Sequence, residues 1–348
     1  MPTDANQQRE LLVRRLAAKD SSVDLVGADV IWTAEFAEAG WIKPWAGLNR
    51  ARATGDKLAG PLKTVRYKGQ VWAVPFTSNT QLLWYRKDLV PNPGDKATWD
   101  QIINEAIKKG KSIEVQGNQY EGLTVWVNAL VASAGTPLVS QSGKVTASDA
   151  AIRNAARIVH RLATTKAAPA GLATNKEDEA RLGFESGRSA YQVNYTFIYP
   201  SAAEVGGGFQ KKIGWARYPR TLPNLPSRPP LGGINVAVGN YTNHADQAFQ
   251  AALCLAQPNN QAIAAEKGGL PPTTAAVYND PKVKKAFPFA DELRTSIQAA
   301  APRPVTPAYS DISLAIQKTF HPEDEVDPND VVQKLQDRLD KAAEGKIF

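Results

Sequence analysis

Residues 23–45 read VDLVGADVIWTAEFAEAGWIKPW, and this stretch decides the fold class. Its apolar beginning, which includes Val23 and Val26, predicts a short buried strand. A turn at residues 27–29 then returns the chain into a helix that carries Phe36. A buried strand that leads through a turn into a helix is typical of an α/β fold.

Asp29 and Trp32 stand at the predicted carboxyl end of this strand. In open α/β sheets small ligands bind at that edge, because the loops converge there and present polar groups. An aromatic face beside a carboxylate suits a sugar, whose C–H faces stack while its hydroxyls donate to the acid. We predict a ligand site here. The alternative is that Trp32 belongs to the core and that Asp29 is only a helix N-cap.

The chain has 348 residues, of which 43% are hydrophobic, and a net charge of +7. This length and composition predict two globular domains rather than a disordered chain. The basic residues come as scattered pairs rather than as a stripe, and residues 323–330 are acidic, so nucleic acid is not expected as a partner. The pairs are Arg14-Arg15, Lys108-Lys109, Lys211-Lys212 and Lys284-Lys285.

Cysteine and histidine are too few for a metal centre. Cys254 is the only cysteine, and the three histidines are far apart in the sequence, so neither metal nor cofactor is expected. No apolar run reaches the length of about eighteen residues that a membrane helix needs. The first residues also lack the apolar segment of a signal peptide, so we expect none in this chain.

Three regions look like passages between two lobes. Each one interrupts the alternation of strands and helices with polar residues, proline or glycine. They are the polar bridge at 76–80, the proline-rich loop at 219–230 and the turn at 268–272, which begins with Gly268 and Gly269. Three crossings imply lobes of discontinuous sequence. We predict lobe 1 at 1–78 plus 226–270 and lobe 2 at 79–225 plus 271–348.

A second strand terminus repeats the pattern seen at Asp29. Residues 185–193 read ESGRSAYQV, which predicts a turn at glycine and then a strand that ends at Asn194 and Tyr195. Further along, Arg303 lies in an extended proline-bearing loop before two terminal helices. Its planar guanidinium is suited to clasping two hydroxyls of one sugar ring.

Taken in order, several short motifs resemble the carbohydrate-binding subunits of ABC importers, and most closely the trehalose/maltose-binding branch. The motifs are GADVIWTAEFAEAGWIKPW, VWAVPFTSNTQLLWYRKDL, YEGL, ESGRSAYQVNY, LGGINVAV, EKGGLPP and RPVTPAYSDIS. The resemblance implies a two-lobed α/β fold of the periplasmic-binding-protein type II, with a hinge and lobes that close around a sugar. It also implies a monomer that delivers a disaccharide, trehalose first and maltose next, to a membrane permease. The expected location is the periplasm or, as a lipoprotein, the outer face of the cytoplasmic membrane.

The resemblance also carries residue roles onto this sequence. The acid after the first family strand matches Asp29 and accepts sugar hydroxyls. The other matched positions are Gln119 before YEGL, Tyr195 after the ESGRSAYQVN strand, Gly268 and Gly269 of GGLPP, and Arg303 of RPVTP. Asn79, at the first predicted hinge, is a further expected ligand.

Two features depart from the family pattern. Family members begin with a strand, a helix and a second strand ahead of the helix with which this sequence opens, so we expect either an internal start or a fragment. The lipid-carrying cysteine would be lost with that segment, and a membrane contact through a lipid anchor is not expected of this chain. The second departure is Tyr195, where many relatives have tryptophan, so stacking would cover a smaller surface.

Two alternatives remain open beside a non-catalytic sugar receptor. Asp29, Glu121 and Glu185 offer carboxylates that a glycosidase would pair, but the sequence has neither a nucleophile elbow nor a phosphate-binding glycine loop. The same fold binding a glycerophosphodiester or another phosphorylated solute is the other alternative. Trp84 is added as a possible stacking surface, and Glu185 is predicted either to pair structurally or to contact the ligand. We predict that the protein is not an enzyme.

Overall fold

The computed structural model describes residues 5–140 and 144–343. The chain divides into two compact units, each built from separate stretches of sequence. Unit 1 comprises residues 1–79, 231–298 and 304–309, and unit 2 comprises residues 80–230, 299–303 and 310–348.

The boundaries of the units differ from the predicted lobes in one large segment. The predicted passages near 78 and 225 lie close to the observed ones, but residues 271–298 pack in unit 1 and not with the second lobe. The reason is that the turn at 268–272 is no crossing. The Ser78 N–H donates to the Pro271 carbonyl at 2.9 Å, which keeps this part of the chain within unit 1.

Both units are built from short strands and from helices. The strands are β1 (Leu25–Asp29), β2 (Arg66–Tyr67), β3 (Gln70–Val71), β4 (Val74–Pro75), β5 (Leu82–Arg86), β6 (Ser112–Glu114), β7 (Ser189–Asn194), β8 (Ile213–Ala216), β9 (Pro230–Leu231), β10 (Ile234–Val238) and β11 (Ala301–Pro302). The helices are α1 (Ala5–Ala17), α2 (Thr33–Glu38), α3 (Gly47–Thr54), α4 (Ala59–Thr64), α5 (Trp99–Lys108), α6 (Glu121–Ser133), α7 (Asp149–Ala163), α8 (Glu177–Glu185), α9 (Ile198–Glu204), α10 (Ala245–Leu255), α11 (Pro258–Gly268), α12 (Pro281–Ala286), α13 (Ala290–Ala299), α14 (Tyr309–Phe320) and α15 (Val331–Ala343).

Unit 1 contains an antiparallel sheet in the order β1-β10-β4. Residues 27–29 belong to β1, so the turn predicted there is wrong; it begins one residue later. The Trp32 N–H donates to the Asp29 carbonyl at 2.9 Å and closes that turn. Asp29 is nevertheless the last residue of its strand, and it pairs with Ile234 at the start of β10.

The sequence also predicts one strand over residues 70–74, and the structure has two strands there. Val71 in β3 pairs with Arg66 of β2, whereas Val74 in β4 pairs with Val236 of β10. The chain therefore leaves one partner and joins another within three residues. Apolar alternation alone carries no information about which partner a strand takes.

Unit 2 contains a sheet in the order β6-β7-β5-β8, in which only β6 and β7 run parallel. Every residue of β5 and β7 is buried, because helices such as α5 and α8 pack against the sheet. Strands covered on both faces bury their side chains without alternation, and here the buried side chains include Arg86, Ser189, Gln192 and Asn194. β8 is the outermost strand on one side of this sheet.

Capping residues fix the helix ends: the sequence predicts a helix over residues 98–109, and α5 spans Trp99–Lys108. The Thr98 hydroxyl accepts from the Gln101 N–H at 3.2 Å, and the Gln101 side chain accepts from the Thr98 N–H at 2.9 Å, so α5 begins with a capping box. Gly269 ends α11 in the left-handed conformation, with φ of 62°. Across the described residues, none of the helices combines the length and apolar character that a membrane crossing requires.

Candidate functional site

Arg303 is fixed in unit 2 by a carboxylate. Its Nη1 donates to Glu121 Oε1 at 2.5 Å, and the Arg303 side chain is only 3% exposed. The second oxygen of Glu121 accepts from the Ser313 hydroxyl at 2.6 Å. Both oxygens of Glu121 are thus engaged by protein donors, which gives this carboxylate a positioning role rather than the role of a glycosidase acid or nucleophile.

Further hydrogen bonds support Ser313. Its hydroxyl lies 2.8 Å from the Thr124 hydroxyl and accepts from Gln317 Nε2 at 2.9 Å. Thr124 is on α6, whereas Ser313 and Gln317 are on α14. The network therefore joins two helices to the segment that carries Arg303, and polar groups held in this way have defined positions.

Amide and aromatic side chains lie together at the edge of the unit 2 sheet where β6 and β7 end and β5 begins. Gln81 immediately precedes β5, and its Nε2 donates to Gln116 Oε1 at 2.7 Å. Gln116, just beyond β6, donates in turn to the Val193 carbonyl of β7 at 3.0 Å. Tyr195 follows β7 at the same edge, and its N–H donates to the Asn194 side chain at 2.9 Å. The predicted site residue Tyr195 therefore stands in a polar row.

Tyr120 and Glu177 lie close to this row. Tyr120 directly precedes α6, and burial together with the neighbouring Glu177 carboxylate raises the pKa of its hydroxyl. Burial likewise raises the pKa of Glu177. Lys176 places its ammonium 5.1 Å from the centre of the Tyr120 ring. The predicted residue Gln119 is exposed in the turn before Tyr120, so the structure brings it to the same part of unit 2.

In unit 1 the predicted residues Asp29 and Asn79 flank the beginning of β10. Asp29 pairs with Ile234, and its Oδ1 accepts from the Ile31 N–H at 3.2 Å. Asn79 exchanges two backbone hydrogen bonds of 2.8 Å with Gly232. The two residues thus stand on either side of one strand. Gly268 and Gly269 end α11, ahead of the Pro271 carbonyl that binds Ser78.

The stacking role predicted for two tryptophans is corrected by the structure. Trp32 is 5% exposed and packs in the core of unit 1, with its ring centre 6.0 Å from that of Phe36. Trp84 is fully buried in β5, and its Nε1 donates to the Asn194 carbonyl at 2.9 Å. Trp32 is a core residue because it directly precedes α2 and packs with Phe36 of that helix, and Trp84 is a core residue because every residue of β5 is buried.

Glu185 is a structural residue. Its carboxylate accepts from Arg181 Nη1 at 2.8 Å and from the Ser201 hydroxyl at 2.8 Å. This arrangement joins α8 to α9 and is a structural pairing of the kind predicted as one of the two alternatives for Glu185. Within the described ranges no group of three or more His, Cys, Asp or Glu side chains is arranged to hold a metal ion.

Comparison with known proteins places this architecture in a family. Residues 2–262 match the family described as bacterial extracellular solute-binding protein. The chain belongs to this family. Its relatives and its fold are those of solute-binding proteins, and it is not an enzyme.

Similar proteins cover most of this solute-binding protein. A probable ABC transporter-binding protein of Deinococcus radiodurans is 28% identical over 323 residues, which are 88% of this chain and 75% of the relative. The structure of maltose-bound T. maritima MalE3 is 28% identical, has a TM-score of 0.87, and is matched over 98% of this chain and 90% of that chain. A Thermotoga lettingae ABC transporter solute-binding protein bound with α-D-tagatose is 22% identical, has a TM-score of 0.84 and is matched over 97% and 90% of the two chains. The fold is therefore the two-lobed, periplasmic-binding-protein-like α/β fold.

Sequence reasoning missed several polar residues of this solute-binding protein. Gln81 and Gln116 flank strands, and their side chains meet only through the order of the strands in the sheet. Arg217 directly follows β8, the strand that the sequence did not predict. The rule that identified Tyr195, a polar or aromatic residue just past a strand, would have identified Arg217 once β8 was recognised.

Proposed function

We propose that this protein is the substrate-binding subunit of an ABC sugar importer and that its ligand is a disaccharide, trehalose or maltose. The observation that carries the proposal is the edge of the unit 2 sheet. There Tyr195 is half-buried and offers an aromatic face, and the exposed amide of Gln119 lies in the same part of unit 2. Aromatic faces stack on the C–H faces of a sugar, and amides bind its hydroxyls, so this set of groups suits a carbohydrate.

Arg303 supplies the charged hydrogen-bond donor of the proposed site. Because Glu121 is paired with it, the local charge of the guanidinium is largely balanced. An anionic phosphate, whether a monoester or a diester, would gain little from such a pair, whereas a neutral sugar hydroxyl needs only a fixed donor. This argument favours a sugar over the phosphorylated solute. In unit 1, Asp29 and Asn79 are the proposed acceptor and amide for sugar hydroxyls.

The relatives support the same solute class. The MalE3 structure, which is 28% identical to this chain, is described as maltose-bound, and the Deinococcus relative is described as a probable ABC transporter-binding protein. The proposed partners are therefore the transmembrane subunits of a permease. The proposed location is the periplasm or the outer face of the cytoplasmic membrane, where the protein acts as a monomer.

Calorimetric titration with trehalose and with maltose tests the proposal. We expect saturable heat with at least one sugar, and no glucose should be released on prolonged incubation. A thermal melt of the same sample shows whether the chain is folded. A cooperatively folded chain that gives no heat with either sugar, but does with a phosphorylated solute such as glycerophosphocholine, would replace the sugar by that class.

A further inference from the structure

A cavity of about 400 Å³ lies in unit 2 between α5 and the loop that leads into this helix. Small-molecule sites have volumes of this order. The apolar wall of the cavity consists of Pro91, Pro93, Ala97 and Ile102. The Ala97 N–H donates to the Gly94 carbonyl at 3.2 Å, and proline restricts the backbone. This wall is therefore formed before a ligand arrives.

Tyr191 of β7 also lines the cavity. Its side chain is almost completely buried, with the residue only 1% exposed, and its hydroxyl has no hydrogen-bond partner within the part of the chain that the structure describes. Burial and the neighbouring Glu105 carboxylate raise the pKa of this hydroxyl, so it is protonated at neutral pH and can donate. A buried hydroxyl without a protein partner costs free energy that a ligand oxygen at the cavity recovers.

One face of α5 supplies further polar groups to the cavity. Gln101, Asn104, Glu105 and Lys108 line it, and their spacing is that of residues on one side of a helix. Both amide oxygens already accept protein hydrogen bonds, of 2.9 Å for Gln101 and 2.5 Å for Asn104. Each of these two amides therefore offers its NH₂ group to a ligand as a donor.

The charges around the cavity are balanced. The Glu105 carboxylate lies 4.0 Å from the ammonium of Lys108 and 4.0 Å from that of Lys109. A cation would meet these lysines, and an anion would meet Glu105, so a ligand of either charge gains little. A neutral hydroxyl, in contrast, donates to the carboxylate and accepts from the amides and from Tyr191.

We infer that this cavity is a second binding site, which takes a neutral polyol of about the size of a hexitol. The Glu105 carboxylate accepts from one hydroxyl of the polyol, while Tyr191 and the two amides donate to neighbouring oxygens. The C–H groups of the ligand lie against the proline wall. Tyr191 precedes Tyr195 by four residues of extended chain, which separates the two by about 13 Å. The inference is therefore independent of the proposed sugar site.

NMR of the backbone amide signals, with D-sorbitol as the probe, tests the second site. We expect saturable shifts for residues 97–105 and for Tyr191. Tyr191→Phe weakens binding about five-fold, which corresponds to one neutral hydrogen bond, and Glu105→Ala weakens it about ten-fold or more, which corresponds to a charged one. The matched control is Tyr85→Phe. Tyr85 pairs with Tyr191 in the sheet and loses the same hydroxyl, but it does not line the cavity, so the affinity is unchanged.

Three results would overturn the inference. D-sorbitol that shifts only signals around Tyr195, or none at all, shows that the cavity is not a polyol site. Equal affinity in the unmodified chain, Tyr191→Phe and Glu105→Ala removes the proposed ligand contacts. Tighter binding of n-propylammonium or of acetate than of D-sorbitol at the same signals shows that the cavity selects a charged ligand. None of these results depends on whether the chain binds trehalose or maltose.

Discussion

Arg303 and Glu121 are joined by a hydrogen bond of 2.5 Å although 182 residues separate them in the chain. Arg303 is the last residue of the stretch 299–303 of unit 2, and Glu121 is the first residue of α6. An arginine in a proline-rich loop is usually solvated. Here its side chain is almost completely buried, because the carboxylate at the start of α6 compensates its charge.

Loss of Glu121 should destabilise the protein more than loss of a surface ion pair. Glu121→Ala leaves the Arg303 guanidinium buried without this partner and is expected to lower the free energy of unfolding by about 3 kcal/mol. The control is Arg153→Ala, which removes the partner of Asp149 in a pair on the surface of α7 that is 48–60% exposed and should cost about 1 kcal/mol or less. Urea denaturation measures both, and equal costs would contradict a buried role for the Glu121 pair.

Loss of Arg303 should weaken sugar binding. A charged hydrogen bond to a sugar hydroxyl is worth about 1.5 to 3 kcal/mol, so Arg303→Ala is expected to reduce affinity ten-fold or more while the chain still folds. Arg303→Lys should recover only part of the loss, because the ammonium lacks the planar fork. A thermal melt first shows that each variant is folded, and calorimetric titration then measures its affinity for the sugar. Unchanged affinity in Arg303→Ala would remove this residue from the binding site.

The buried carboxyl of Glu114 should make stability depend on pH. It accepts from the Ser189 hydroxyl at 2.5 Å and from Asn175 Nδ2 at 2.8 Å, but burial outweighs these bonds and raises its pKa from 4.5 to about 6. The folded chain therefore holds this proton more tightly than the unfolded chain does. The stability that the neutral carboxyl contributes is fully present below pH 4.5 and is lost as the pH rises through about 6.

Glu114→Gln isolates this effect, because the amide does not titrate. The stability of the unmodified chain relative to the variant should fall by about 2 kcal/mol between pH 4 and pH 7. Urea denaturation at several pH values measures the difference. Parallel curves for the two proteins would show that the Glu114 carboxyl titrates alike in the folded and unfolded chains.

Gly233 should not tolerate a side chain. Its φ is +135°, and a Cβ there would lie 2.2 Å from the Thr77 carbonyl oxygen, which is backbone and has little room to move. Gly233→Ala is expected to cost at least about 3 kcal/mol. Gly206→Ala is the control: φ is +77° and nothing lies within 4 Å of its Cβ, so only the backbone strain of about 1 kcal/mol applies. Thermal unfolding compares them, and equal losses would mean that Thr77 moves away freely.

Much of the local structure could be predicted because its causes are local. Thr98 and Gln101 carry the hydrogen-bonding groups of a capping box, so α5 begins where the sequence indicates. Tyr195 was placed at the end of β7 by a glycine turn and a buried run. The partner of each strand could not be predicted in this way. The strand predicted over 70–74 divides because Val71 and Val74 pair with different strands. Both residues are valines, so the residue type does not indicate the partner strand.

The amino-acid sequence by itself determined the α/β class, most helix ends and the type of side chain at the ends of β1 and β7. These features depend on apolar periodicity, capping groups and turn residues that lie within a few positions of one another. Only the tertiary structure decided that residues 271–298 pack in unit 1, that Trp32 and Trp84 are core, and that Glu121 holds Arg303. These facts depend on contacts between distant parts of the chain, and the free energy of burial depends on what the folded chain places around a residue, not on its neighbours in sequence.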